Sequence, residues 1–170
     1  MHYQLAINEQ YAMRTSSTGI ANDVLVVVAE RGTGLRTFSE NVAAMFNRGG
    51  ADDIREGPNP AMQLVLLKFF FLVFSRRATA DMFYPNDLKV VVEILLRELA
   101  DLPRDKAVHR QGYLQVLRNL LLMSPYRQQG KYRKADVRRA LETVWMDEEL
   151  DDTTRAVAEQ ILLDCADVLE

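Results

Sequence analysis

Catalysis or metal binding in this chain would have to rest on two histidines, one cysteine and a scatter of carboxylates. His2 sits at the chain start and His109 stands alone in AVHRQGY, without the paired imidazoles of an H-E-x-x-H motif or a zinc site. His109 reads most simply as an exposed helix residue. Cys165, in ILLDCADVL, has no second cysteine to pair with, which excludes an internal disulfide and a cysteine-based zinc site. On an apolar helical face it is expected to be a small core residue rather than a nucleophilic thiol. GTG at Gly32–Gly34 lacks the G-K-[ST] that completes a phosphate loop, and no G-x-S-x-G is present. The carboxylates alternate with cations instead of converging in pairs for acid–base work. These residues predict no enzyme, no metal and no cofactor.

Polar chemistry of another kind is better represented. Lys89, Glu93, Arg97 and Asp101 are spaced four apart. On a helix that spacing gives one face of successive opposite charges, each pair contributing a few tenths of a kcal/mol. A basic run from Arg127 to Arg139 holds six cations against Asp136 and carries Tyr126 and Tyr132, which could stack on RNA bases. A solvated loop and helix start is the favoured reading. The total charge of −3 and the absence of known RNA-recognition patterns argue against nucleic acid as a partner. Five acids and no base lie between Asp147 and Asp152. Trp145, the single tryptophan, is expected as a core anchor, with an exposed partner anchor as the alternative. Tyr113 and Tyr126 are each expected to cap the core with the ring and reach a polar partner with the hydroxyl.

The elements that must position these groups are helical. The 170 residues are a single domain's worth, 48% hydrophobic and 26% charged, with only 8 glycines and 5 prolines. Helices are predicted from about Tyr3 to Met13, from a Ser17 or Thr18 cap to Glu30, and from Leu35 to Asn47. The second contains VLVVVA, a β-branched run that alone could be a strand. Arg48 to Pro60 is read as the mobile loop. Leu64–Phe74 (LVLLKFFFLVF) anchors a helix from Ala61 to Ser75, buried on most sides. With a lysine inside it is too short to span hydrocarbon, so no membrane insertion is expected. A short turn of helix, ATADMF, follows. The next helix should start at an Asn86 or Asp87 cap and stop at Pro103, with Leu88, Val92, Leu95, Leu96, Leu99 and Leu102 as its apolar stripe. Further helices are predicted from Lys106 to Met123, Lys134 to Met146 and Thr153 to Leu169.

A faint internal repeat joins these elements. DLKVVVE at Asp87–Glu93 resembles DVRRALE at Asp136–Glu142, and VLLKFFFLVFSR and VLRNLLLMS precede them in the same order. Helical units of this length are the signature of HEAT and armadillo solenoids. The predicted fold is all-α, an armadillo/HEAT-like stack of seven to eight helices forming one domain over residues 1–170.

From Phe38 onward the chain resembles the C-terminal armadillo, or leucine-rich, region of the WISH/DIP/SPIN family. That family includes the mammalian NCK-interacting protein with SH3 domain and the fungal Dip proteins. The resemblance lies in TFSENVAAMFNRGGADDIR (Thr37–Arg55), ATADMFYPNDLKVVVEILLRELADLP (Ala78–Pro103), HRQGYLQVLRNLLLMSPYRQ (His109–Gln128) and the terminal EQILLDCADVLE, in that order. FYPNDL, RELADLP, RQGYL and SPYRQ are its most specific parts. The resemblance implies a non-enzymatic protein that binds the actin-related protein 2/3 complex and activates it without a preformed filament, seeding a linear filament. It also implies a cytoplasmic place at the actin cytoskeleton and cell cortex. The chain would be the C-terminal part of a longer family domain. Lys89, Glu93 and Arg97, with Arg110 and Tyr113 of the next helix, fall within the family-like segments and are the candidate partner-binding residues. The competing reading for them is ion pairing that holds adjacent helices. Two other functions stay open: a generic helical-repeat scaffold for a different partner or a second copy of the chain, and an RNA-binding repeat.

Overall fold

The computed structural model describes residues 35–49, 57–129 and 132–170. The helices expected over 3–13 and 17–30, and residues 50–56 of the expected loop, lie outside the described residues. Among those described, every regular element is helical.

The first helix, α1 (Leu35–Asn47), ends at Gly49, whose amide donates to the Phe46 carbonyl at 3.0 Å. Gly49 has φ of +65°, and a Cβ there would press on Pro58 at 3.0 Å. A residue without a side chain is therefore needed where the chain turns from α1. The Gly49 carbonyl accepts from the Asn59 amide at 3.0 Å, so the two ends of the connection meet. Asn59 then caps α2 (Pro60–Val73) by accepting from the Met62 amide, with Pro60 at the first helical position.

A single turn, α3 (Arg77–Ala80), leads to α4 (Pro85–Asp101). The expected cap at Asn86 or Asp87 is not used. Pro85 presets the helical φ and starts the helix earlier, so Asp87 lies within the first turn. Its carboxylate accepts instead from the Ser39 hydroxyl of α1 at 2.6 Å. Pro103 stops α4 as expected, since it cannot continue the helical hydrogen bonding. Beyond it run α5 (Ala107–Met123), a 3-10 turn (Pro125–Gln128), α6 (Lys134–Met146), α7 (Asp152–Asp164) and α8 (Ala166–Leu169). The single helix expected over 153–169 is thus two, broken at Cys165.

These elements stack in two layers. In one, α2 packs on α5 and α5 on α7; in the other, α1 packs on α4, α4 on α6 and α6 on α8. Each unit is a long helix, a short turn and a second helix: α2–α3–α4, then α5–3-10–α6. The hydroxyl that ends the first helix of each unit shows the same register. Ser75 donates to the Phe71 carbonyl at 2.5 Å and Ser124 to the Leu120 carbonyl at 2.6 Å. Both bonds reach back four residues, and the serines occupy the matching places in VFS and LMS of the repeat. The fold is all-α and compatible with a helical-repeat solenoid.

The core runs between the layers. Phe46, Phe70, Phe74 and Phe83 form a chain of aromatic contacts with centroids 4.7–5.8 Å apart, which ties α1, α2 and the α3–α4 turn together. The expected stripe of α4 is buried apart from half-buried Leu102, and Val91 and Ile94 widen it. As expected, α2 is buried or half-buried on most sides; within 62–75 only Val65 is exposed.

Candidate partner-binding face

The outer side of α4 is set by its buried side. Because Leu88, Val91, Val92 and Leu95 point into the core, the helical period turns Val90 and Arg97 to solvent and leaves Lys89 and Glu93 at the margin. The expected ladder of charges four apart along the helix does not form. Lys89, Glu93 and Arg97 each meet another element instead. Glu93 accepts from the Tyr132 hydroxyl and from the Arg133 guanidinium, both at 2.8 Å, at the entry to α6. The Lys89 ammonium lies over the Tyr132 ring, 5.2 Å from its centre. Arg97 donates to the Asn47 side-chain oxygen at 2.8 Å and to the Asn47 carbonyl at 3.3 Å, closing the C-terminus of α1. It also pairs with its neighbour Glu98. Tyr132 packs half-buried against the core and is already held in place, whereas a ladder partner is a free surface side chain.

Arg110 and Tyr113 are not on this face. They are 3% and 1% exposed, so the expectation that they offer side chains to a partner is corrected. Arg110 donates to the carbonyls of Leu102 (2.5 Å), Pro103 (3.3 Å) and Arg104 (3.4 Å). The Pro103 carbonyl also accepts from the Lys106 amide at 3.0 Å, and for the carbonyls of Leu102 and Arg104, past the end of α4, Arg110 supplies the donor. Burial pulls its guanidinium below the ordinary value, and the Asp147 and Asp151 carboxylates act against that shift. Tyr113 stacks on Phe46 with centroids 5.9 Å apart, and its hydroxyl donates to Glu98 at 3.4 Å. Both residues position α4 from behind.

Tyr126 is buried and its hydroxyl donates to the Tyr132 carbonyl, so its ring is closed to any base; burial pushes its hydroxyl up to about 12. Burial, and then the bond to Glu93, raises the Tyr132 hydroxyl as well. Bonding to Glu93 raises the Arg133 guanidinium. Cys165 is wholly buried and burial pushes its thiol up to about 11, as a core cysteine requires. His109 is half-buried with a ring nitrogen 3.4 Å from the Pro60 carbonyl, rather than exposed. Trp145 is 36% exposed and followed by exposed Met146, so its expected place in the core is corrected. It sits in the last turn of α6, where Val144 takes the core side and turns Trp145 outward. Among the described residues no cluster of His, Cys, Asp and Glu is gathered as a metal would need. No described helix is long and apolar enough to cross a membrane.

Two exposed apolar residues beside this face escaped the sequence reading: Tyr84 and Val90. Val90 could have been found, since it lies three positions before Glu93 and seven before Arg97, a helical repeat that the run VVV obscures.

A stack of long–short–long helical units with a polar outer face on its second helix is the build of a helical-repeat protein. The chain belongs to the SPIN90/Ldb17 family, whose leucine-rich domain matches residues 1–137. It is 32% identical over 133 residues to Protein dip1 of Schizosaccharomyces pombe, covering 76% of this chain and 33% of that one. It is 32% identical to Protein LDB17 of Saccharomyces cerevisiae over 140 residues, and 30% identical to Protein LDB17 of Eremothecium gossypii over the same length. Those two matches each cover 81% of this chain. The chain spans 26–33% of the length of these curated relatives.

Proposed function

We propose that the chain is a non-enzymatic binding protein that engages the actin-related protein 2/3 complex and activates it, seeding linear filaments without a preformed filament. Membership of the SPIN90/Ldb17 family is the observation that carries the reading. Activation would be a population shift: the domain binds the active arrangement of the complex better than the inactive one. A stack with a continuous core between two layers suits that task, because a rigid surface spends little binding energy on its own ordering. The face offered to the complex is the outer side of α4, with Lys89, Glu93 and Arg97 and the exposed Val90 among them. Arg110 and Tyr113 hold that helix in place.

The test is a bulk actin polymerisation assay with purified complex and this chain. Acceleration in the absence of preformed filaments is the expected result. No acceleration, with the chain shown to be folded, would remove nucleation from its function.

A further inference from the structure

Most arginine side chains described in the structure are committed. Arg97, Arg104, Arg110, Arg118, Arg133, Arg138, Arg139 and Arg155 each hold a carbonyl, an amide oxygen or a carboxylate. The side chains of Arg76, Arg77 and Arg127 are exposed and make no hydrogen bond or ion pair. All three lie at the corners where a first-layer helix turns into the short element that follows: Arg76 and Arg77 after α2, Arg127 after α5.

Between those corners is a cleft of about 370 Å³, lined by Arg77, Asp81, Leu122, Met123, Arg127 and Gln128, with Ser124 and Pro125 completing it. Its volume falls within the range of sites that hold a small ligand or a few peptide residues. The Ser124 hydroxyl is spent on the Leu120 carbonyl, so it is not a free donor there. Arg77 and Arg127 leave their guanidinium forks available from two separate elements. Each fork matches the two oxygens of a carboxylate in geometry and charge. Leu122 and Met123 supply apolar surface beside them.

We propose that this cleft is a docking site for an acidic peptide segment. A carboxylate side chain lies between Arg77 and Arg127, and a neighbouring aliphatic side chain rests on Leu122 and Met123. An apolar floor next to the guanidiniums favours a peptide over a free anion. A membrane surface fits less well, because it needs a broad basic face, and here Asp164 and exposed Asp167 occupy the next corner. The site lies at the C-terminal end of α5 and shares no residue with the outer face of α4. It therefore does not rest on the nucleation reading.

The test is affinity selection of a soluble peptide library with a fixed central glutamate, using the full chain and its R77Q/R127Q variant. Both positions are exposed and unpaired, so the variant should match the parent in circular dichroism and thermal melting. Expected is enrichment of acidic peptides carrying Leu, Ile or Met beside the glutamate, with affinity falling about tenfold or more in the variant. M123E, which places a carboxylate on the floor, should weaken the same peptides while leaving the arginines in place. No enrichment, or enrichment that the variant retains, overturns the proposal. So does binding confined to phosphatidylserine-containing vesicles, which would make the arginines a membrane contact. Self-association of the parent that R77Q/R127Q abolishes would assign the cleft to a second copy and overturn it too.

Discussion

The guanidinium of Arg110 donates to the carbonyl of Leu102 at 2.5 Å, across the bend that Pro103 forces between α4 and α5. Sealing a helix end from inside the protein leaves two groups dependent on each other. Without Arg110, the carbonyls of half-buried Leu102 and of Arg104 lose a charged donor, while Pro103 keeps the Lys106 amide. Arg110→Met keeps the bulk and removes the donors. It should cost about 2–3 kcal/mol of stability, read as a lowered urea midpoint with unchanged slope. A loss below about 0.5 kcal/mol would show that water replaces the arginine.

Asp151 caps α7 by accepting from the Thr154 amide at 2.9 Å and from the Thr154 hydroxyl at 2.6 Å, and the Gln111 amide of α5 reaches Thr154 at 3.0 Å. Asp151→Ala should therefore destabilise by about 1–2 kcal/mol, at the upper end of N-cap losses. Asn at the same position can still accept and should recover most of that loss. Thermal melting of the two variants is the measurement.

Reversing Lys89 and Arg97 to glutamate removes the contact with Tyr132 and the bonds to Asn47, both on the surface. Stability should fall by no more than about 1 kcal/mol. If the outer face of α4 meets the actin-related protein 2/3 complex, affinity should drop about tenfold, which a pull-down with purified complex resolves. A folded variant with undiminished affinity would move the interface elsewhere on the stack.

Alkaline pH should loosen the core before the surface. The Cys165 thiol is raised to about 11 from an ordinary value near 9, and the Tyr126 hydroxyl to about 12 from near 10. In both, burial favours the neutral form, so the folded state holds its proton more tightly than the unfolded chain does. Their contribution is complete below about pH 9, declines as the unfolded groups ionise, and is lost by about pH 12. Denaturant midpoints should be flat from pH 7 to about 9 and then fall. Cys165→Ala should remove the part of the fall between about pH 9 and 11.

Helix positions were legible because burial imposes a period on the sequence. The bounds of α1 and α6 follow from their apolar spacing, and the stop at Pro103 from the missing amide. The repeat was legible as a register of like residues, and it reappears as two serines bonding back to the same relative carbonyl. Local chemistry misled where a stronger neighbour intervened. Asp87 has the type of a cap, yet Pro85 starts the helix ahead of it and Ser39 claims its carboxylate. Trp145 has the type of a core anchor, yet its neighbour Val144 takes the core side of α6 and leaves it half outside.

By itself the sequence determined that the chain is helical, where most helices stop, that Cys165 is a core thiol, and to which family the residues point. Those are properties of period, residue type and order along the chain, and they need no partner. Which polar groups meet was decided only by tertiary structure. Glu93 reaches Tyr132 and Arg133, Arg97 reaches Asn47, and Arg110 turns inward to the end of α4. The first two choices join segments some forty to fifty residues apart, and the third crosses the bend at Pro103; all are set by the packing of the helices, which spacing along one helix cannot report.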